Sequence, residues 1–564
     1  MPNFPVASQS ARPAASRTSR LLWLLWLCFL VRGCFYSAIL PMWEGYDEPF
    51  HFSFLQYVAA HWSLPQASTP VSCEVQASLH VAPLSWEQRL HAMEGPVFTH
   101  DSFWQLPRAE RERLERELRA LPPEWGRETG NFPLMYEAQQ APLYYWLMAP
   151  PLRLASSWSL PARVLLVRLL SVLLASLLVP IAYLAAKEFF DSRADAVGVV
   201  AVLVCLPELM IDVCRAGNES LAVVVYSLLA LLLLLAARSP RPAMFTVAGL
   251  ALGLGLLTKA YFVLAIPAFV AVAIYSAIKH RGAAKRVVSN AAAGLAMALL
   301  ISLPWYWRNH VLTGTWSGEE NNVAAMHGGV AHVLASAAHV KWAGGITSIL
   351  VSHIWFGAWS FLKLPKPVYL VLVLAIAFAT LGVVRGALRD RLRSPALFVV
   401  LAAYVFFWLG LLYDILLVFV ATGVSASDGW YLYALVVPEL LLLAYGFRQL
   451  LPAHAHRVIL PAAATAFAAI DLYGAFALLV PYYTGLIAHV PGSDRVRAAS
   501  LSLLLHTAPQ LVLSRLTTNK PDILSQGAFA LLIVLYGIAT VTAAACAYWA
   551  ALADGHLRKE MKTV

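Results

Sequence analysis

Long apolar runs that recur along the chain constrain its fold more than any other feature. Each run is about 20 residues long and nearly free of charge, the length that a hydrocarbon layer of ~30 Å demands of a helix. The first run covers residues 21–40 and the last covers residues 526–551. Of the 564 residues, 60% are hydrophobic and only 13% are charged, which is too much apolar surface for a soluble protein to bury. The sequence therefore predicts one all-α polytopic membrane domain over residues 21–551.

Short basic clusters between the apolar runs predict its orientation. Arg17 and Arg20 precede the first run, and Arg558, Lys559 and Lys562 follow the last one. Basic residues are retained on the cytoplasmic side, so both tails, residues 1–20 and 552–564, are expected there. The net charge of +10 follows these clusters and is therefore not a nucleic-acid signal.

The alternation of sides predicts about twelve membrane helices. The expected spans are about 21–40, 164–186, 196–213, 221–236, two within 243–278, 287–303, 367–384, 396–420, 431–447, 458–480 and 526–551. This leaves three loops on the outer face, residues 41–160, 305–365 and 482–524. In a bacterial inner membrane that face is the periplasm.

The first outer loop, residues 41–160, is the longest polar segment of the chain. Glu and Arg alternate from Arg108 to Leu121 with i,i+4 spacing, which predicts a solvated helix. The segment from Tyr136 to Trp146 is rich in aromatic residues, and an amphipathic helix lying flat in the membrane interface is expected there.

Carboxylates and cations gather where the chain leaves the membrane on the outer face. Asp47-Glu48 follows the first predicted helix and Asn218-Glu219 follows the third. Lys259 lies at the tip of the hairpin within 243–278, and Arg308 follows the seventh helix. A carboxylate can act as a general base on a hydroxyl group, and Lys and Arg can hold a phosphate. The sequence thus indicates a site for a lipid-linked phosphate at this face.

These residues stand in motifs that resemble those of the GT-C membrane glycosyltransferases, over about residues 20–450. Relevant members are the bacterial protein mannosyltransferases and the aminoarabinose transferase that modifies lipid A. The matching motifs, in chain order, are Asp47-Glu48-x-x-His51, Gln140-Ala141-Pro142-Leu143-Tyr144-Tyr145-Trp146, Arg215-x-x-Asn218-Glu219, Leu257-Thr258-Lys259, Pro304-Trp305-x-x-Arg308-Asn309 and Gly429-x-Tyr431.

Two positions depart from the family pattern. The second acidic site usually reads Asn-Asp and here reads Asn218-Glu219, which lengthens the acid by one methylene. The late motif usually carries an Arg, and Trp430 replaces it here. No role is assigned to Trp430, because a charged contact would be missing.

The resemblance implies an inverting sugar transfer from a polyprenyl-phosphate donor to a glycan, lipid or protein acceptor. Asp47 would be the general base, with Glu48 as the second catalytic candidate. Lys259 and Arg308 would stabilise the departing phosphate, whose charge develops in the transition state. The candidates for orienting the acceptor or for holding a divalent metal ion are Glu219, Asn218, His51 and Tyr144.

The same residues also fit roles that involve no chemistry. The acids are compatible with plain interfacial charges, Glu219 with a favourable charge at a helix N-terminus, and Lys259 with a side chain that extends to the interface. Arg308 also fits an interface anchor. For the chain as a whole, a transporter or flippase, or a surface-polysaccharide ligase or polymerase, is the alternative function. A transporter would place ionisable residues within the spans, near the bilayer midplane.

Overall fold

The computed structural model describes residues 11–90, 97–126, 134–238 and 241–563, and side chains are described within these ranges except at 11–16, 90 and 554–563. The predicted all-α class is confirmed. In the described ranges no strand forms, and extended segments meet only at three isolated bridges, such as Pro70 with Leu134.

Helices account for most of the described chain. The α-helices are Ala11–Ile39, Glu48–His61, Cys73–Val81, His100–Phe103, Arg108–Ala120, Leu143–Leu154, Leu160–Ala175, Leu178–Phe190, Arg193–Cys205, Pro207–Val213, Glu219–Arg238, Ala243–Leu256, Ala265–Lys279, Ala284–Thr313, Glu320–Met326, Gly329–Ser336, Trp342–Ile354, Lys366–Asp390, Pro395–Thr422, Val436–Leu450, His456–Tyr473, Val480–Tyr483, Leu501–His506, Pro509–Leu516 and Gln526–Thr563. Tighter 3-10 turns include Tyr136–Gln139, Ala260–Leu264 and Gly429–Leu435, and one π-helical turn covers Gly474–Leu479.

Ten helical segments in the described part are long and apolar enough to cross a membrane. An eleventh results if Arg193–Cys205 and Pro207–Val213, which meet at a 66° bend, form one broken span. The bend falls at Pro207, which supplies no backbone N–H to continue the first helix. The remaining predicted helix corresponds to Ala243–Leu256, whose 14 residues are fewer than a full crossing needs. The structure therefore has a counterpart for each of the twelve predicted helices, but two of them do not qualify as separate full-length spans.

The hairpin predicted within 243–278 is present, with Lys259 in its turn. Lys259 has extended backbone geometry between Ala243–Leu256 and the 3-10 turn that begins at Ala260. The first arm packs on the helix Ala284–Thr313, and a Cβ atom at Gly249 would lie 2.3 Å from the backbone of Gly294. Small residues allow membrane helices to approach this closely. The crossing fixes the arm that leads to Lys259.

The first long loop folds back onto the membrane helices. Arg108–Ala120 is the predicted solvated helix, with i,i+4 ion pairs such as Arg108–Glu112 at 2.7 Å. The segment from Tyr136 expected to lie flat in the interface contains the helix Leu143–Leu154, which packs on Glu48–His61. Tyr144 and Tyr145 are buried inside the protein, whereas Trp146 and Leu147 are exposed on the other face of this helix.

Buried ion pairs join distant parts of the chain. Arg163 and Arg168, on the helix Leu160–Ala175, bind Glu74 and Glu48 of the first loop. Arg32 of the first helix lies 2.9 Å from Asp471, and both side chains are completely buried. Removing one partner of such a pair leaves an uncompensated buried charge, which costs about 3–5 kcal/mol. These pairs hold the loop and the bundle in one arrangement.

Candidate functional site

Asp47 occupies a tight turn at the start of a helix. Its backbone is left-handed, with φ of 54°, and its carbonyl accepts hydrogen bonds from the N–H groups of Phe50 and His51 at 3.0 and 3.1 Å. Asp tolerates this conformation better than most residues, because its short side chain can bond locally. The Tyr136 hydroxyl donates to the Asp47 carboxylate. Asp47 is thus held in place at both its backbone and its side chain.

Glu48, the second predicted catalytic residue, is part of the framework. Its carboxylate binds the Arg168 guanidinium through both oxygens and accepts hydrogen bonds from the N–H groups of Trp43 and Ala216 at 3.2 and 3.0 Å. Burial opposes its ionisation, but Arg168, the Ala216 N–H and Arg215 together outweigh burial and lower the pKa of Glu48. With both oxygens occupied and the side chain completely buried, Glu48 has no free oxygen for substrate. The geometry therefore does not support a catalytic role for Glu48.

Arg215 anchors the turn that carries Asp47. It donates to the carbonyl oxygen of Tyr46 and contacts Asp212 at 3.2 Å. The Trp430 ring stacks on Tyr46 with centroids 4.1 Å apart. The residue that replaces the Arg of the late motif thus packs under the turn that carries Asp47.

Lys259 and Glu219 form a buried ion pair at the hairpin turn. The Lys259 ammonium contacts Glu219 Oε1, and the Tyr261 hydroxyl donates to Oε2 at 3.0 Å. Arg215 approaches the same carboxylate at 3.7 Å. Burial, followed by the positive charge of Arg215, lowers the pKa of Lys259 to about 7. The structure thus brings the second acidic site and the predicted phosphate-binding lysine together.

Arg308 lies apart from this pair. It donates to the carbonyl oxygen of Pro65 at 2.6 Å and stacks over Trp305, with 5.0 Å between the guanidinium carbon and the ring centroid. It is not among the residues that line the cavity beside Lys259. The structure therefore does not bring Lys259 and Arg308 together at this cavity, contrary to what the sequence predicted.

The remaining candidates have separate partners. Asn218 Nδ2 donates to Gln140 Oε1 at 2.9 Å and to the Thr258 carbonyl at 3.0 Å. His51 Nδ1 lies 2.6 Å from the hydroxyl of Tyr145. Burial and the charge of Arg215 lower the pKa of His51 far below its usual value. The Tyr144 hydroxyl lies 2.8 Å from Ser171 Oγ.

These candidates do not assemble as metal ligands. The described ranges contain no group of three or more His, Cys, Asp or Glu side chains with metal-binding geometry. Glu219 is engaged by a lysine and a tyrosine, and His51 by a tyrosine. The residues in place do not fit the divalent ion that the family resemblance implied as a possibility.

A cavity of about 540 Å³ opens beside the ion pair. Lys259 and Tyr261 form one wall, and Asp414 and Asp428 lie among the other lining residues. Further polar and aromatic lining comes from Gln139, Gln140, Tyr306, Trp316, Glu319, Asn321, Asn322, Phe407, Tyr413 and Tyr431. Apolar walls with a few polar groups are typical of small-molecule sites. The cavity could hold a polar group of a lipid-linked molecule.

Sequence reasoning missed Glu137. Its side chain is 6% exposed, and its Oε2 atom has no hydrogen-bond partner. Burial, followed by the charge of Asp47, raises the pKa of Glu137 to about 8. Its position in the loop segment before the Gln140 motif was visible in the sequence, but proximity to Asp47 was not.

A family match covers the middle of this site. Residues 139–307 match the family described as dolichyl-phosphate-mannose-protein mannosyltransferase. The matched stretch includes Gln140, Asn218, Glu219 and Lys259, whereas Asp47 precedes it. No curated protein sequence matches the chain significantly.

Two solved structures are similar in outline. ArnT from Cupriavidus metallidurans bound to undecaprenyl phosphate has a TM-score of 0.43 at 13% identity, over 94% of this chain and 78% of that chain. The Archaeoglobus fulgidus oligosaccharyltransferase in complex with Zn and sulfate has a TM-score of 0.41 at 14% identity, over 84% of this chain and 54% of that chain. This chain thus spans about half of the oligosaccharyltransferase. These TM-scores are too low to establish a common fold.

Proposed function

We propose, from the premise that this chain is a membrane protein of the GT-C superfamily, that it transfers a sugar from a polyprenyl-phosphate donor to an acceptor hydroxyl group with inversion. The acceptor is a glycan, a lipid or a protein. We place the enzyme in a bacterial inner membrane, with both tails cytoplasmic and the loops 41–160, 305–365 and 482–524 in the periplasm, where the site opens.

The observation that carries this proposal is the position of Lys259 in the wall of the 540 Å³ cavity. Its ammonium is held by Glu219 and lies 5.2 Å from the centre of the Tyr431 ring. A donor phosphate that enters the cavity would meet this cation, and a fixed cation stabilises the charge that develops on a departing phosphate.

Asp47 supplies the base in this proposal. The acceptor hydroxyl would give its proton to Asp47 while its oxygen bonds to the anomeric carbon. The bond from that carbon to the phosphate oxygen would break, and its electron pair would remain on the phosphate. Inversion follows because the acceptor attacks from the face opposite the leaving group. The Tyr136 hydroxyl donates to the Asp47 carboxylate and orients it.

The buried Arg32–Asp471 pair supports an enzyme over a transporter. It is an ionic pair within the spans, the kind of feature that a transport path uses. Both side chains are completely buried, and Tyr36 and Tyr536 also bind Asp471. The pair therefore acts as a connection between helices.

The test measures release of polyprenyl phosphate by purified protein in lipid nanodiscs, with a panel of polyprenyl-phosphate sugars and envelope extracts as acceptors. We expect one donor to be consumed, and Asp47→Asn to lower its turnover by about 10²–10⁴-fold, because an amide cannot accept the proton. Glu117→Gln, on the solvated helix, is the matched control. If Asp47→Asn has nearly the turnover of the unmodified protein, Asp47 is not the base. Consumption of no donor would contradict the enzyme and favour the transporter.

A further inference from the structure

Glu137 is the buried acid that the proposed reaction leaves without a role. It lies in the 3-10 turn Tyr136–Gln139, and its Oε2 atom is buried without a hydrogen-bond partner. An unsatisfied carboxylate oxygen is costly in such a position unless the group carries a proton. Packing alone does not account for an acid in this position.

The turn that carries Glu137 connects the parts of the candidate site. Tyr136, directly before it, donates to Asp47, and Gln140 accepts from Asn218 at 2.9 Å. Gln139 and Gln140 also line the cavity beside Lys259. Glu137 therefore lies in the segment between the proposed base and the proposed phosphate site.

The charged and titratable groups that act on Glu137 come from several elements. Asp47 opposes its ionisation, whereas Lys259, a side-chain hydrogen bond from Gln140 and Arg215 favour it. The ionisation of Tyr145 is in turn opposed by Glu137. A buried carboxyl group next to a second carboxylate ionises only at a large cost, so one of the pair retains a proton.

Burial distinguishes the two acids. Asp47 is partly exposed and its carboxylate accepts from the Tyr136 hydroxyl, whereas Glu137 is buried and its Oε2 atom has no hydrogen-bond partner. We propose that Glu137 is a positioning residue that holds one proton beside Asp47 and so keeps Asp47 the ionised member of the pair. This inference rests on the proposed function, in which Asp47 accepts the acceptor's proton. The proton on Glu137 does not move during transfer.

Infrared spectroscopy of the full-length protein in nanodiscs tests the proton directly, without any substrate. In the difference spectrum between the unmodified protein and Glu137→Gln, we expect a protonated-carboxyl component at pH 7 that disappears near pH 8. The control Glu117→Gln should retain this component. Asp47→Asn removes the neighbouring negative charge, so the component should then disappear at a lower pH. A difference spectrum with folded Glu137→Gln that lacks the component would overturn the proposal. Should Glu137→Gln fail to fold, an unchanged titration in Asp47→Asn would overturn it equally.

The pH dependence of turnover tests the positioning role. With saturating donor, turnover of the unmodified protein should fall above pH 8 by up to ~10-fold per pH unit, because an ionised Glu137 adds a second negative charge beside Asp47. Glu137→Gln should show a smaller fall, because only the contribution of Lys259 remains, whatever its absolute rate. The same fall in both proteins would overturn the role. Activity in Asp47→Asn would instead contradict the proposed function and leave the infrared result to be judged separately.

Discussion

Side chains at the candidate site have either a structural or a chemical role, and the role of Glu48 is structural. We expect Glu48→Gln to destabilise the protein by about 3–5 kcal/mol, because the buried Arg168 loses its carboxylate partner. Thermal unfolding in detergent measures the effect. Glu112→Gln removes an exposed ion pair with Arg108 and should not change the transition measurably. A normally stable Glu48→Gln protein without turnover would restore the catalytic role.

Lys259 gives a second prediction at the scale of a residue. Its pKa is lowered to about 7 by burial and Arg215, so above pH 7 it is increasingly neutral and must take up a proton to bind phosphate. Affinity for undecaprenyl phosphate, measured by calorimetry, should be steady below pH 7 and weaken above it by up to ~10-fold per pH unit.

Lys259→Arg separates this cause from others, since a guanidinium stays charged over the whole range. Its affinity should vary less with pH above 7. Arg308→Ala should keep the dependence of the unmodified protein, because Arg308 does not line the cavity. Equal pH dependence in Lys259→Arg and the unmodified protein would contradict the assignment.

At the scale of elements, the hairpin that ends in Lys259 depends on a close helix crossing. Gly249→Leu should destabilise the protein by about 1–3 kcal/mol, because the added side chain would collide with the backbone of Gly294. It should also weaken phosphate binding by displacing the turn. Gly537→Leu is the matched control, since a Cβ atom there meets no other atom within 4 Å. Unchanged unfolding of Gly249→Leu would show that the helices can separate at no cost.

The sequence predicted elements along the chain better than contacts between them. Apolar runs and basic clusters located the helices and the Lys259 turn, because hydrophobic length and charge are local properties. The pairing of Glu48 with Arg168 joins residues 120 positions apart, and the sequence carries no mark of it. The predicted membrane side placed Lys259 and Arg308 on the same face, but the sequence did not show that Arg308 lies outside the cavity beside Lys259. The motif resemblance agrees with the family match to dolichyl-phosphate-mannose-protein mannosyltransferase, which covers residues 139–307.

At the scale of the whole molecule, the proposed orientation can be tested by labelling. A cysteine at exposed Glu124, in the first loop, should react with a membrane-impermeant maleimide in intact spheroplasts. A cysteine at Arg389 should react only after the inner membrane is opened, because the basic cluster around it is expected in the cytoplasm. Labelling in the reverse order would invert the proposed topology.

The Arg32–Asp471 pair has a consequence for how the protein is made. Arg32 enters the membrane with the first helix, but Asp471 is synthesised more than 400 residues later, as is Tyr536, which binds the same carboxylate. At ribosomal speeds of about 5–20 residues per second, Arg32 is without its partner Asp471 for roughly tens of seconds. During that time its charge must remain near the lipid headgroups, in the translocation channel or against a chaperone. Final seating of the first helix therefore belongs to the end of biosynthesis.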